Sequence, residues 1–429
     1  MKQKLGYIVT SVVFVYANAY ATCTKQEIMK LIDRGFNKKD ISAICSLDFK
    51  NSKIKTWQRT YGGKDYEQGY SITKTDDGGF MVVGDTTSYG NGRYDIYLIK
   101  IDKNGNKIWE KTFGGKYDEN SRTIVKTDDG NFIIAANNES YGKGKSFMYL
   151  IKVDKNGNKI WEKIYSRGSI SGLTKTEDGG FIISGSSRSV ENGEPTIVLI
   201  KVDKNGNQIW EKIFFGKNYE GVTPIMKIDN GFIMSAAIYS YGGRRDASLI
   251  KIDKNGNKIW EKIYSRGSIS GLTKTEDGNF LLAGWIVRNG NSDVWIMKIN
   301  KDGNILWQKN YGGNGVEGGA AVIKIESGFM VVGDTSSYGN GSHDVYLIKI
   351  DKNGNKIWEK TYGGSDLDFP SQIIQTDDGG FIIVGWTGSY GNGRQDVYLI
   401  KIDKEGNTKK YRGIYRQEEK QEQIILKIN

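Results

Sequence analysis

Histidine occurs once in 429 residues, cysteine twice and proline three times. The single histidine, His343, leaves one candidate for any histidine-based triad. With no cysteine after Cys45, a His- or Cys-rich metal cage is excluded. Three prolines against 56 glycines, with 12% aromatics, fit Gly-rich turns between short aromatic strands. Helix-period apolar stripes are missing beyond residue 50, and no stretch approaches the ~20 apolar residues of a spanning helix. The formal charge of +11 suits either plain solubility or an anionic partner, and no nucleic-acid partner is expected.

The first residues read as a secretory signal. Lys2 and Lys4 form its charged start, Leu5 to Val15 its apolar stretch, and Ala19-Tyr20-Ala21 its cleavage site. Residues 1–21 are therefore expected to be removed and the rest exported to the periplasm, cell surface or medium. In an oxidising compartment Cys23 and Cys45 suit one disulfide, with lipidation of Cys23 as the alternative. Residues 22–50 read as a helical hairpin cap. Thr24-Lys-Gln-Glu27 is a capping box, Ile28, Leu31 and Ile32 share a face, and Gly35 is placed to end the first helix. The cap is either a spacer or a docking element.

What fills the chain is one repeated unit. Trp57, Trp109, Trp161, Trp210, Trp260, Trp307 and Trp358 are separated by 52, 52, 49, 50, 47 and 51 residues. Phe80 and Lys100 each recur seven times at the same period. One unit holds four strand candidates: A at 70–75, B at 80–85, C at 95–101 and D at 107–113. An acidic Gly turn joins A to B, and Asn104-Gly105 joins C to D as a type I′ two-residue turn. Four antiparallel strands per period of about fifty residues describe a propeller blade. The expected fold is all-β: a seven-bladed β-propeller of four-stranded antiparallel blades over residues 51–407, preceded by the helical hairpin. Residues 408–429 read as a charged tail, able to add an edge strand or left over from another unit.

The ends predict how the ring closes. The Trp57 strand has no strand C before it, and the last strand C, carrying Lys401, leads to no tryptophan. The hairpin register sets Lys100 opposite Trp109, with the lysine stem on the indole. At the C-terminal end the same count sets Lys401 against Lys410. The Trp57 strand is therefore expected to complete the last blade beside Lys401.

The pattern Ile101-Asp102-Lys-Asn-Gly105-Asn-Lys-Ile-Trp109 to Gly114-Gly115 resembles the blades of quinoprotein-like propellers. The fuller pattern, Thr376-Asp-Asp-Gly-Gly-Phe381, then Gly385, Ser389-Tyr-Gly391 and Asp396, is similar to secreted bacterial repeat propellers. The resemblance covers about residues 54–407 and implies a fold. The family's quinone dehydrogenases bring a catalytic aspartate, a calcium site and a vicinal disulfide, none of which matches here, so no cofactor and no metal is expected.

Chemistry-bearing candidates are few. Asp102-Lys-Asn104-Gly-Asn106 lacks the glycine and glutamate positions of an EF-hand and reads as a turn. His343 stands where Tyr94, Arg245 and Gln395 stand in other copies, which suits a solvated loop residue. Lys74, Lys126, Lys175, Lys227, Lys274 and Lys324 recur near the end of strand A and either form an anion-binding ring or are six independent solvated lysines. On the opposite face the ends of strand B differ by copy, with Asp85, Trp285, Asp334 and Trp386, and the loops carry Tyr89, Tyr141, Tyr241, Tyr338 and Tyr390. These nine residues are the candidate ligand site. Blade-specific polar groups beside aromatics suit a glycan or an extracytoplasmic protein, although the tyrosines also suit plain loop packing. Two functions follow: a non-enzymatic binding or scaffold propeller, or a polysaccharide-acting enzyme using carboxylates such as Asp85 and Asp334 with the tyrosines.

Overall fold

The computed structural model describes Asp33, Gly35 and residues 54–188, 193–214, 219–240, 244–264, 266–288 and 290–414. Asp33 is helical and Gly35 adopts φ +85°, the left-handed conformation that ends a helix. The rest of the expected helical hairpin, Cys23 and Cys45, the expected leader and the residues beyond 414 lie outside the described residues. Among the described residues no helix is long and apolar enough to cross a membrane.

Twenty-eight strands form seven four-stranded antiparallel sheets, which is a seven-bladed β-propeller. Blades 1 to 6 span 67–113, 119–167, 169–214, 219–264, 267–311 and 317–362. Blade 7 takes strands A, B and C from 368–402 and strand D from Trp57–Tyr61. A strands of adjacent blades pack together around the axis, which places D strands on the rim. The closing register sets Trp57 opposite Lys401 and Tyr61 opposite Val397, as the incomplete ends predict.

The core lies between blades. Strand B of blade 1, Phe80–Thr86, is buried throughout. Its Val82 faces blade 7 while Met81 and Val83 face blade 2, the period-two alternation of a strand covered on both sides. Seven apolar clusters result, one at each junction of neighbouring blades. At roughly 1.5–3 kcal/mol per fully buried aliphatic side chain, these junctions are the main force holding the ring.

The C–D connection corrects the expected type I′ turn. Gly105 N–H donates to Asp102 O at 3.1 Å and Asp102 N–H to Asn106 O at 3.0 Å. Gly105 alone is left-handed, at φ +79°, so the loop is a type I turn closed by a glycine bulge. Asp102 Oδ1 accepts the Asn104 and Asn106 amides at 2.8 Å, and Oδ2 accepts Asn106 Nδ2 at 2.9 Å. That capping accounts for the repeated Asp-Lys-Asn-Gly-Asn. Gly105 also lies under the Trp57 ring: an added Cβ would stand 2.9 Å from it. The relation recurs around the circle, Trp109 on Gly157 and so on to Trp358 on Gly406. Each rim tryptophan thus seats on the next blade's turn.

Candidate functional site

The A–B turn face is charge-balanced. Lys74 pairs with Asp377 of blade 7 at 2.5 Å, Lys126 with Asp76, and Lys175 with Asp128 at 2.7 Å. Lys227 reaches Glu177 at 3.4 Å and Lys274 reaches Asp229 at 2.9 Å. Each acid belongs to the preceding blade. Lys324 lies in a cleft with Glu276 and Asp277, whose own partners are Lys352 and Lys298. Five of the six lysines expected to form an anion-binding ring are thus ion-paired, each with the first acid of the preceding blade's turn.

The second acid of the turn takes the strand C lysine. Lys100 stands opposite Trp109 as expected, but its ammonium donates to Asp77 Oδ1 at 2.7 Å and to Thr75 Oγ1. Burial raises the Asp77 carboxyl, but the hydrogen bonds from Lys100, Thr75 and the Gly79 amide outweigh it and hold the carboxyl down at about 2. Blades 4 and 6 have shorter turns without that acid: Asn230 and Ser327 occupy it. Lys349 of blade 6 accordingly lies over Trp358, 5.9 Å from the ring centroid. The expected lysine–indole contact forms there, whereas Lys251 of blade 4 donates to Lys301 O at 3.2 Å.

On the opposite face the strand B ends do different work in different blades. Asp85 is 2% exposed and Oδ1 accepts the Ser121 amide at 2.7 Å and the Ser121 hydroxyl at 2.8 Å, tying blade 1 to blade 2. Burial pushes its carboxyl up to about 7, opposed by those two bonds. Asn137 serves blade 3 likewise, accepting Ile170 N–H at 2.7 Å. Asp334 has no such option, because the equivalent strand A residue of blade 7 is Pro370, which carries no N–H. Asp334 instead meets His343 Nδ1 at 3.1 Å. Burial raises the Asp334 carboxyl to about 6, against the lowering effect of His343.

His343 is thus a packed residue and not the solvated one expected. Its ring stacks on Phe369 at 5.1 Å, and Phe369 stacks on Trp386 at 4.8 Å, with interplanar angles of 22° and 24°. Asp334 and His343 keep 19% and 23% of their side-chain surface exposed. The structure therefore brings together Asp334 and Trp386, two of the nine candidates, through His343 and Phe369. On the other side of blade 7, Gln68 donates to Gln395 at 2.7 Å and Tyr70 to Gln68 at 2.7 Å. Trp285, in blade 5, sits instead under the Arg245 guanidinium at 5.4 Å.

The loop tyrosines lie apart from that cluster. Tyr89 and Tyr338 rest on Tyr97 and Tyr346, and their hydroxyls donate to Gly62 O at 3.2 Å and Gly312 O at 2.9 Å. Tyr390 is buried, a correction to the exposed ring expected, because Tyr411 stacks on it at 4.4 Å. Tyr141 is 66% exposed and edge-on to Phe147, and Tyr241 lies outside the described residues. Sequence reasoning missed Phe369, Pro370 and the tail's Tyr411. The available signal was Phe369-Pro370, a departure unique among the copies at the start of strand A.

Among the described residues no group of three or more His, Cys, Asp or Glu side chains converges as metal ligands would. The chain matches no family model. It matches no curated protein. Among solved structures it is similar to puromycin hydrolase at 11% identity and TM-score 0.50, over 82% of this chain and 54% of that one. It is also similar to the Dos1 propeller at 9% identity and TM-score 0.49, over 84% and 98%. The propeller domain of the trilobed protease from Pyrococcus furiosus follows at 13% identity and TM-score 0.47, over 80% and 94%. The first of these likenesses bears on the fold alone.

Proposed function

We propose that the chain is an exported, non-enzymatic binding or scaffold propeller. Its ligand, a glycan or an extracytoplasmic protein, docks on the loop face where blades 6 and 7 meet. The observation that carries this reading is the half-buried row His343–Phe369–Trp386 beside Asp334. Aromatic faces pack the apolar side of a sugar ring, and a part-exposed carboxylate accepts its hydroxyls. Of the two ligand classes these groups suit a glycan best. Export rests on the charged, apolar and Ala19-Tyr20-Ala21 segments of the N-terminus.

The polysaccharide-acting enzyme is the second reading. Its carboxylate pair is weakened by Asp85, which is buried and committed to Ser121. The Asp334–His343 contact is the observation that keeps it in view, since a carboxylate-oriented imidazole suits proton transfer. A glycan array, followed by product analysis on each ligand found, separates the two. Saturable binding without turnover, weakened at least tenfold by Trp386→Ala, fits the binding reading. New reducing ends or unsaturated products overturn it.

A further inference from the structure

Blades 1, 6 and 7 carry the same B–C loop, Ser-Tyr-Gly-Asn-Gly, and build it alike. Gly90, Gly339 and Gly391 adopt φ +100°, +101° and +98°. A strand C aspartate caps each loop: Asp95 accepts Gly92 N–H at 2.9 Å, Asp344 accepts Gly341 N–H at 2.9 Å and Asp396 accepts Gly393 N–H at 3.0 Å. Strand D supplies a threonine at one register position, Thr112, Thr361 and Thr60, opposite Tyr97, Tyr346 and Tyr398. The rim surface carrying a loop tyrosine and a strand D threonine is thus built alike in these three blades.

In blade 7 that surface is covered by the chain's own tail. Tyr411 stacks on Tyr390 and shares a hydrogen bond with Thr60 Oγ1 at 2.8 Å. Gln58 Nε2 donates to Lys409 O at 2.9 Å, and Gly391 N–H donates to Ile414 O at 2.9 Å. The tail therefore contributes an aromatic ring, a hydroxyl and two backbone carbonyls. Tyr390 is left 7% exposed, whereas the equivalent Tyr89 and Tyr338 are 38% and 39% exposed.

We infer that the corresponding rim surfaces of blades 1 and 6 are docking sites for an extended, tyrosine-bearing basic peptide segment of a partner protein, its tyrosine seated as Tyr411 is in blade 7. The tyrosine stacks on Tyr89 or Tyr338 and reaches Thr112 or Thr361. The basic character follows from one substitution. Where blade 7 has Gln58, blades 1 and 6 have Glu110 and Glu359, whose side chains are 31% and 33% exposed and ion-paired with Lys107 and Lys356 at 2.8 Å and 2.6 Å. Their carboxylates accept the Tyr97 and Tyr346 hydroxyls as Gln58 accepts that of Tyr398. A part-exposed acid at that position takes a donor or cation from the peptide in exchange for Lys107 or Lys356, where Gln58 meets a carbonyl.

This rim site is separate from the blade 6–7 row and stands or falls without it. The test titrates the full chain with a labelled peptide, Thr-Lys-Lys-Tyr-Arg-Gly-Ile, the sequence of residues 408–414, followed by anisotropy. The expected result is saturable binding at two sites per chain, reduced at least tenfold in a Tyr89→Ala/Tyr338→Ala variant that melts as the parent does. Replacing the peptide's tyrosine by alanine is expected to have the same effect, which does not depend on any variant folding. The proposal is overturned if the parent shows no saturable binding up to millimolar peptide. Binding that survives either tyrosine change overturns it as well.

Discussion

Trp57 and Lys401 stand directly opposite each other across the last sheet, although 344 residues separate them in sequence. Lys401 is 2% exposed, its ammonium donates to Asp378 Oδ1 at 2.6 Å and to Thr376, and the Trp57 ring passes on to Gly105 of blade 1. The seam of the ring is built from the same parts as every other junction. Its strength is therefore open to the same tests.

Gly105→Ala addresses the tryptophan seat. The residue sits at φ +79°, and a Cβ would stand 2.9 Å from the Trp57 indole. Left-handed strain of about 1–2 kcal/mol and overpacking of about 1–3 kcal/mol act together. A loss of roughly 2–4 kcal/mol is expected from denaturant unfolding, with the same m-value. Wild-type stability in that variant would contradict the seat.

The buried lysine invites a double-mutant cycle. Lys401→Met removes a charged donor from Thr376 and Asp378, while burial lowers the lysine's own pKa against the pull of Asp378. Because Asp378 keeps 43% of its side chain exposed, solvent screening limits the pair to about 1 kcal/mol of coupling. The cycle with Asp378→Asn measures that coupling directly. A value of zero would assign Lys401 to packing alone.

Asp85 makes stability depend on pH. Burial pushes its folded carboxyl up to about 7, from the ordinary 3.8. The folded state therefore holds the proton more tightly than the unfolded chain. That contribution is complete below pH 4 and is lost as pH rises from about 4 through 7. Asp85→Asn keeps an acceptor for Ser121 and removes the titration. The expected outcome is a flatter dependence of the urea midpoint between pH 4 and 7, with the variant gaining on the parent at the upper end. Parallel profiles for the two proteins would refute this.

The repeat was legible because its signals are local. Alternating Val, Ile and Tyr, Asp-Asp-Gly-Gly turns and a tryptophan every fifty residues specify strands without reference to neighbours, and the unmatched ends specify the seam. Side-chain partners across blades were not legible. Lys74 finds Asp377, 303 residues away, and Lys100 prefers Asp77 to the indole it faces, since an ion pair with hydrogen bonds outweighs a cation–π contact. His343 looked like a variable loop position until Pro370 removed the donor that Asp334 would otherwise use. Tyr390 looked exposed because nothing local places Tyr411 over it.

Closure of the ring depends on residues 57–61. Its most direct test is thermal unfolding of a chain lacking residues 54–63, alone and with a synthetic peptide of those residues. The deletion is expected to lower the melting temperature and broaden the transition, and the added peptide to restore both in a concentration-dependent way. A deletion that melts as sharply and as high as the parent would contradict the closed ring.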